Sequence, residues 1–108
     1  MHYILSSAVV TAFGVYVYRP ATPAEARAFI EEYEPVSTIG YKETAEALGT
    51  LLDIPAPATN RANITMQAQE RALVFRLTKR VPNPADKGSI PLEFILDNYE
   101  MGFLTRHE

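Results

Sequence analysis

The chain has no cysteine, no tryptophan, only two histidines and only five glycines among its 108 residues. Without cysteine there can be no disulfide, no thiolate metal site and no thiol nucleophile, and the composition fits a cytoplasmic protein. The histidines, His2 and His107, stand near opposite termini and form no HExxH. A metal would have to be held by scattered carboxylates, so no metal site is expected. No apolar run approaches the roughly 18 residues of a membrane span. The opening MHYILSSAVV starts like a short leader but lacks a basic leading segment, and reads as a first strand. Also missing are GxxxxGK[ST], GxGxxG and GxSxG, which removes the phosphate loop, the dinucleotide fold and the serine elbow. No cofactor is implied.

What is present suits one domain spanning residues 1–108, with 47% hydrophobic residues to build its core. The net charge of −3 argues against binding to long nucleic acid. The charge is unevenly spread. Residues 61–87 carry six basic residues (Arg61, Arg71, Arg76, Lys79, Arg80, Lys87) against Glu70 and Asp86, which is +4 and leaves −7 for the remainder. A local basic region in an acidic protein suits a small anionic ligand; solvated charges on alternate strand positions explain it as well.

Alternation predicts strands over 2–11 and over 13–19, the latter with Phe13, Val15 and Val17 on one face and Tyr16 and Tyr18 on the other. Thr22-Pro23-Ala24-Glu25 is a helix start, with a capping threonine, a first-turn proline and a capping-box glutamate. Ala26, Phe29, Ile30 and Tyr33 then follow at helical spacing. A second helix is predicted over Tyr41–Leu52, weakened at Gly49 by about 1 kcal/mol relative to alanine. The prolines of IPAPATN force a loop. Residues 61–67 and 71–79 read as paired strands joined by QAQE, RVPNPADKGS as a long loop, 91–99 as a helix and GFLTRH as a closing strand. The expected fold is α/β, a mixed sheet of about five strands flanked by helices.

Candidate site residues lie in loops and corners. Ser6 and Ser7 interrupt an apolar strand, as a backbone cradle or as a strand end facing water. Ile39-Gly40-Tyr41 sits at a helix N-terminus, where free N–H groups and the helix dipole favour an anion, with Tyr41 otherwise packing as a half-buried aromatic. Asn60 and Arg61 precede a predicted strand. Arg80 ends another beside the long loop, where it could fork onto a phosphate or remain a surface arginine. Lys87 adds a further positive charge.

The stretches ILSSAVVT, FGVYVYR, STIGYKETAEALGTLL, NRANITM, RALVFRLTKRVP and KGSIPLEFI, taken in order, cover most of the chain and together resemble the viral ring-nuclease anti-CRISPR family. The resemblance implies a homodimer that binds cyclic tetra-adenylate, the second messenger of type III CRISPR defence, in a pocket across the dimer axis. Active family members cleave that ring without metal, by attack of a 2′-hydroxyl on the neighbouring phosphodiester. In the family pattern the corner carries a histidine where this chain has Tyr41. A histidine exchanges protons near neutral pH; a tyrosine, with a reference pKa near 10, is a poor base there but can stack on a base or donate a hydrogen bond. Arg80 matches the family arginine that steadies phosphate. The family glutamate three residues later is Asn83 here, within an expanded loop where Asp86 precedes Lys87-Gly88. Ser6 stands where the family often has asparagine. If the chain is catalytic, Tyr41, Arg80, Asn83 and Asp86 are the candidates. The altered positions favour a binding protein that sequesters a cyclic oligoadenylate over a metal-independent ring nuclease, with a nucleotide-free protein-interaction module as the third reading.

Overall fold

The computed structural model describes residues 2–6, 12–60, 64–78 and 92–108. The element order is β1 (Tyr3–Leu5), β2 (Tyr16–Pro20), α1 (Pro23–Tyr33), β3 (Val36–Ser37), α2 (Lys42–Leu52), β4 (Arg71–Leu77), α3 (Leu92–Asp97) and β5 (Tyr99–Arg106). The five strands form one mixed sheet in the order β2-β5-β4-β1-β3. β1 runs parallel to both β3 and β4, while β5 is antiparallel to β4 and β2.

α1 begins as its sequence dictates. Glu25 N–H donates to Thr22 Oγ1 at 3.2 Å, and Thr22 N–H donates back to Glu25 Oε1 at 3.1 Å. The reciprocal bonds satisfy two amides that the first turn leaves without helical partners. α2 starts one residue later than its pattern predicts, because Tyr41 is extended at φ −122°, ψ 132° and serves as N-cap. Gly49 sits inside α2 because the following loop folds onto it: a Cβ there would lie 3.0 Å from Ala56 Cα and 3.0 Å from the Ile54 carbonyl oxygen.

The helices share one face of the sheet. Ala26 and Phe29 of α1, Leu48 and Leu52 of α2, and Ile95 of α3 pack with Ile4, Leu73, Phe75, Met101 and Phe103. Each fully buried aliphatic or aromatic side chain contributes about 1.5–3 kcal/mol. The opposite face carries a smaller cluster of Tyr3, Leu5, Ala72, Val74 and Leu104 under Met66.

Two expectations about the strands need correction. Residues 64–67 form no strand, and 61–63 lie outside the described residues. The reason is topological: β4 already has β1 on one side and β5 on the other, so neither edge is open to a hairpin partner. The fifth strand is instead the two-residue β3, in a stretch to which the sequence reading assigns no element. Phe13 and Val15 precede β2 rather than lie in it, and Phe13 is fully exposed. β2 is an edge strand paired only with β5, so alternation there does not mean burial on one side.

Candidate functional site

The parallel strands β3, β1 and β4 end at the same edge of the sheet. Open sheets of this kind hold ligands outside the carboxyl ends of their parallel strands, where the loops diverge. Ser6 leaves β1 at that edge, and Thr38-Ile39-Gly40-Tyr41 leaves β3 beside it. Thr38 fixes the two exits to each other: its amide donates to the Ile4 carbonyl at 2.8 Å and its Oγ1 donates to the same oxygen at 3.1 Å. Asn60 joins them through its amide, which donates to the Ile39 carbonyl at 2.9 Å.

Within this group the side chains play different parts. Ile39 is fully buried in the helix-face core and anchors the corner. Tyr41 remains 41% exposed and makes no side-chain cap to its helix, so its ring is presented at the rim. Its carbonyl accepts the Ala45 amide at 3.1 Å, which locks it to the first turn of α2. Ser6 is half-buried. Of the residues singled out by sequence, the structure thus gathers Ser6, Ile39, Gly40, Tyr41 and Asn60. Ser7, Arg61, Arg80, Asn83, Asp86 and Lys87 lie outside the described residues. β4 ends at Leu77, three residues before Arg80, at the same edge.

A polar cluster escaped the sequence reading. Arg76, near the carboxyl end of β4, donates from Nε to Glu100 Oε1 at 3.0 Å, and the Tyr18 hydroxyl donates to that same oxygen at 3.0 Å. Arg76 and Tyr18 together hold the Glu100 carboxyl below the ordinary glutamate range, and Glu100 holds the Arg76 guanidinium above its own. Burial, followed by the hydrogen bond to Glu100, pushes the Tyr18 hydroxyl up. Alternation along RALVFRL puts Arg76 opposite Phe75 in facing, but nothing local reveals that Glu100 is its cross-strand partner.

Elsewhere among the described residues lie two further concavities. An open groove of about 660 Å³ beside α2 is lined by Glu43, Glu46, Asp53 and Leu92 among others, and its acidity opposes an anion. A smaller one of about 230 Å³, toward the amino ends of β1 and β4, has Arg19 and Arg71 near the Phe103 ring but Glu25 and Glu32 beside them. No group of three or more histidine, aspartate or glutamate side chains able to hold a metal occurs among the described residues. Among them, too, no helix is long and apolar enough to cross a membrane.

A family model described as STIV B116-like matches residues 2–92. Among solved structures, B116 of Sulfolobus turreted icosahedral virus is similar with a TM-score of 0.73 and 13% identity, over 96% of this chain and 97% of that one. At that identity the likeness shows the fold. A comparison with curated proteins gives no significant match.

Proposed function

The chain belongs to the STIV B116-like family, and we propose that it binds a cyclic oligoadenylate-type second messenger of antiviral defence and sequesters it. The observation that carries this reading is the convergence of Ser6, Gly40, Tyr41 and Asn60 at the carboxyl edge of β1 and β3, tied together through the Ile4 and Ile39 carbonyls. That edge offers an extended backbone, the N-terminus of an 11-residue helix and an exposed aromatic ring. These suit a phosphodiester ring with stacked bases.

The resemblance to the viral ring-nuclease family supplies the ligand class. It also assigns Arg80 to the phosphate and makes the working unit a homodimer, with two copies meeting around one ring. A twofold pocket suits a ring of fourfold symmetry. Tyr41 in place of histidine removes the neutral-pH base and leaves a stacking surface, which is why retention takes precedence over cleavage.

One incubation tests this. The protein is titrated calorimetrically with cyclic tetra-adenylate in the absence of metal. The mixture is then freed of protein with phenol and chromatographed. Binding with intact ligand recovered is the expected result. Linear di-adenylate among the products would replace sequestration with ring-nuclease activity. Absence of binding to a panel of cyclic oligonucleotides would overturn the nucleotide reading and leave a protein-interaction module.

A further inference from the structure

We propose that His2 is a pH-responsive clasp at the amino edge of the sheet, gripping β4 only while its Nδ1 carries no proton. The device lies at the opposite edge from the crevice and is independent of the ligand reading.

The position follows from register. β1 lies between β4 and β3, and Tyr3 pairs with Ala72 on one side and Val36 on the other. His2 precedes both pairs and holds both neighbours. Its carbonyl accepts the Val36 amide at 2.8 Å, and its ring Nδ1 accepts the Arg71 amide at 3.1 Å. The second bond is a side chain standing in for the next backbone rung of the β1–β4 ladder. An imidazole nitrogen accepts only when unprotonated, so the neutral ring carries its proton on Nε2. A protonated ring is a donor at both nitrogens and would set N–H against N–H at Arg71.

The surroundings give each protonation state a partner. The half-buried ring packs edge-on to Tyr33, with centroids 4.5 Å apart, and lies 5.7 Å from the Phe29 ring, so α1 docks at the same point. The titratable and charged groups of this corner are Glu32 and Tyr33 on α1, Arg71 on β4 and, beyond Phe103, Arg19 on β2. Glu70 joins them from the turn before β4, while β3 brings only Val36 and Ser37. Burial opposes it, but the Gln67 amide, the α-amino group and His2 together draw the Glu70 carboxyl below the ordinary glutamate range. Glu70 is therefore ionised wherever an imidazole titrates, about pH 6.5 for an unperturbed ring. The Arg71 amide takes the neutral ring, and the Glu70 carboxylate favours the imidazolium. The Val36 bond goes to the His2 carbonyl and does not depend on the proton. Acidification thus releases the start of β4 and leaves the β1–β3 pairing in place.

The experiment follows the His2 ring nitrogens and the Arg71 amide by nitrogen-15 NMR across the imidazole titration, in wild type, His2→Asn, His2→Phe and His107→Gln. In wild type the Arg71 amide proton should shift with the same midpoint as the His2 ring. Its hydrogen exchange, corrected for the intrinsic pH dependence, should quicken by roughly tenfold, the worth of one ordinary hydrogen bond. The Leu73 amide, deeper in β4, should stay protected and show that the change is local. His2→Asn offers an acceptor that does not titrate, and should make the Arg71 amide insensitive to pH. His2→Phe offers none, and should leave that amide in its fast-exchanging state throughout. His107→Gln removes the other histidine and should preserve the wild-type response. An Arg71 amide indifferent to the His2 titration would overturn the proposal, as would a response that survives in His2→Asn or vanishes in His107→Gln. Should the His2 variants fail to fold, wild type and His107→Gln still decide it, because the shared midpoint is read in them alone.

Discussion

The carbonyl of Ile4 accepts two hydrogen bonds from Thr38, from the amide at 2.8 Å and from Oγ1 at 3.1 Å. Residues 34 apart in sequence are thereby joined at the point where β1 and β3 release their loops. The backbone bond continues the β-ladder, and the hydroxyl bond is the extra one. Thr38→Val keeps shape and amide while deleting it. The expected cost is about 0.5–1.5 kcal/mol. It should appear as a lowered urea midpoint with unchanged slope, since the surface exposed on unfolding stays the same. An unaltered midpoint would show that the hydroxyl contributes nothing to the corner.

Gly102 lies under the Tyr18 ring, and its missing side chain is what allows the contact. A Cβ there would stand 2.6 Å from Tyr18 Cε1 and 2.7 Å from the Arg19 carbonyl oxygen. The ring can swing away; the carbonyl belongs to the β2 backbone and can only move with its strand. Gly102→Ala should therefore destabilise by about 1–3 kcal/mol, the range for an overpacked site. It should also dislodge the Tyr18 hydroxyl from Glu100. The Glu100 carboxyl would then titrate closer to the ordinary glutamate range, as followed by carboxyl-carbon NMR. A variant with wild-type stability and wild-type Glu100 titration would refute the packing described.

Local chemistry was legible and long-range pairing was not. The Thr22–Glu25 capping box and the Phe29 stripe involve neighbours within one or two turns, so their spacing determines them. The Ile39-Gly40-Tyr41 corner is legible for the same reason. β3 is not, because Val36 and Ser37 follow Pro35 and owe their strand character to β1. The strand reading of 61–67 fails over 64–67, where Met66 and Ile64 pack on the second sheet face without pairing into the sheet. That Asn60 bonds to Ile39, and that Arg76 faces Glu100, depend on how distant segments are set against each other.

The capping box carries a pH signature. The Thr22 amide, and then its hydroxyl, hold the Glu25 carboxyl below the ordinary glutamate range. A carboxyl whose folded pKa is depressed stabilises the fold above its unfolded pKa, and the contribution is lost as pH falls through the folded value. Helix α1 should accordingly weaken on acidification through that window, and Glu25→Gln should flatten the dependence. Thr22→Ala removes the cap at about 1 kcal/mol. It should also raise the Glu25 titration midpoint, read from its carboxyl-carbon shift. A Glu25 that titrates at the same pH with and without Thr22 would contradict this account.

Tyr41 is the residue on which the binding and catalytic readings part. As a stacking platform it acts through its ring, and as a proton donor or acceptor through its hydroxyl. Tyr41→Phe should therefore leave affinity for cyclic tetra-adenylate within a few-fold of wild type. Tyr41→Ala should weaken it by the loss of one base–aromatic stack, about 1–3 kcal/mol or roughly ten- to a hundredfold. The ring is exposed and its backbone bond to Ala45 survives either change, so the corner itself should persist. Titration calorimetry of the three proteins separates the cases. A large loss in Tyr41→Phe would move the essential group from the ring to the hydroxyl. Product analysis of the wild type would then decide whether that hydroxyl only holds the ligand or also takes part in cutting it.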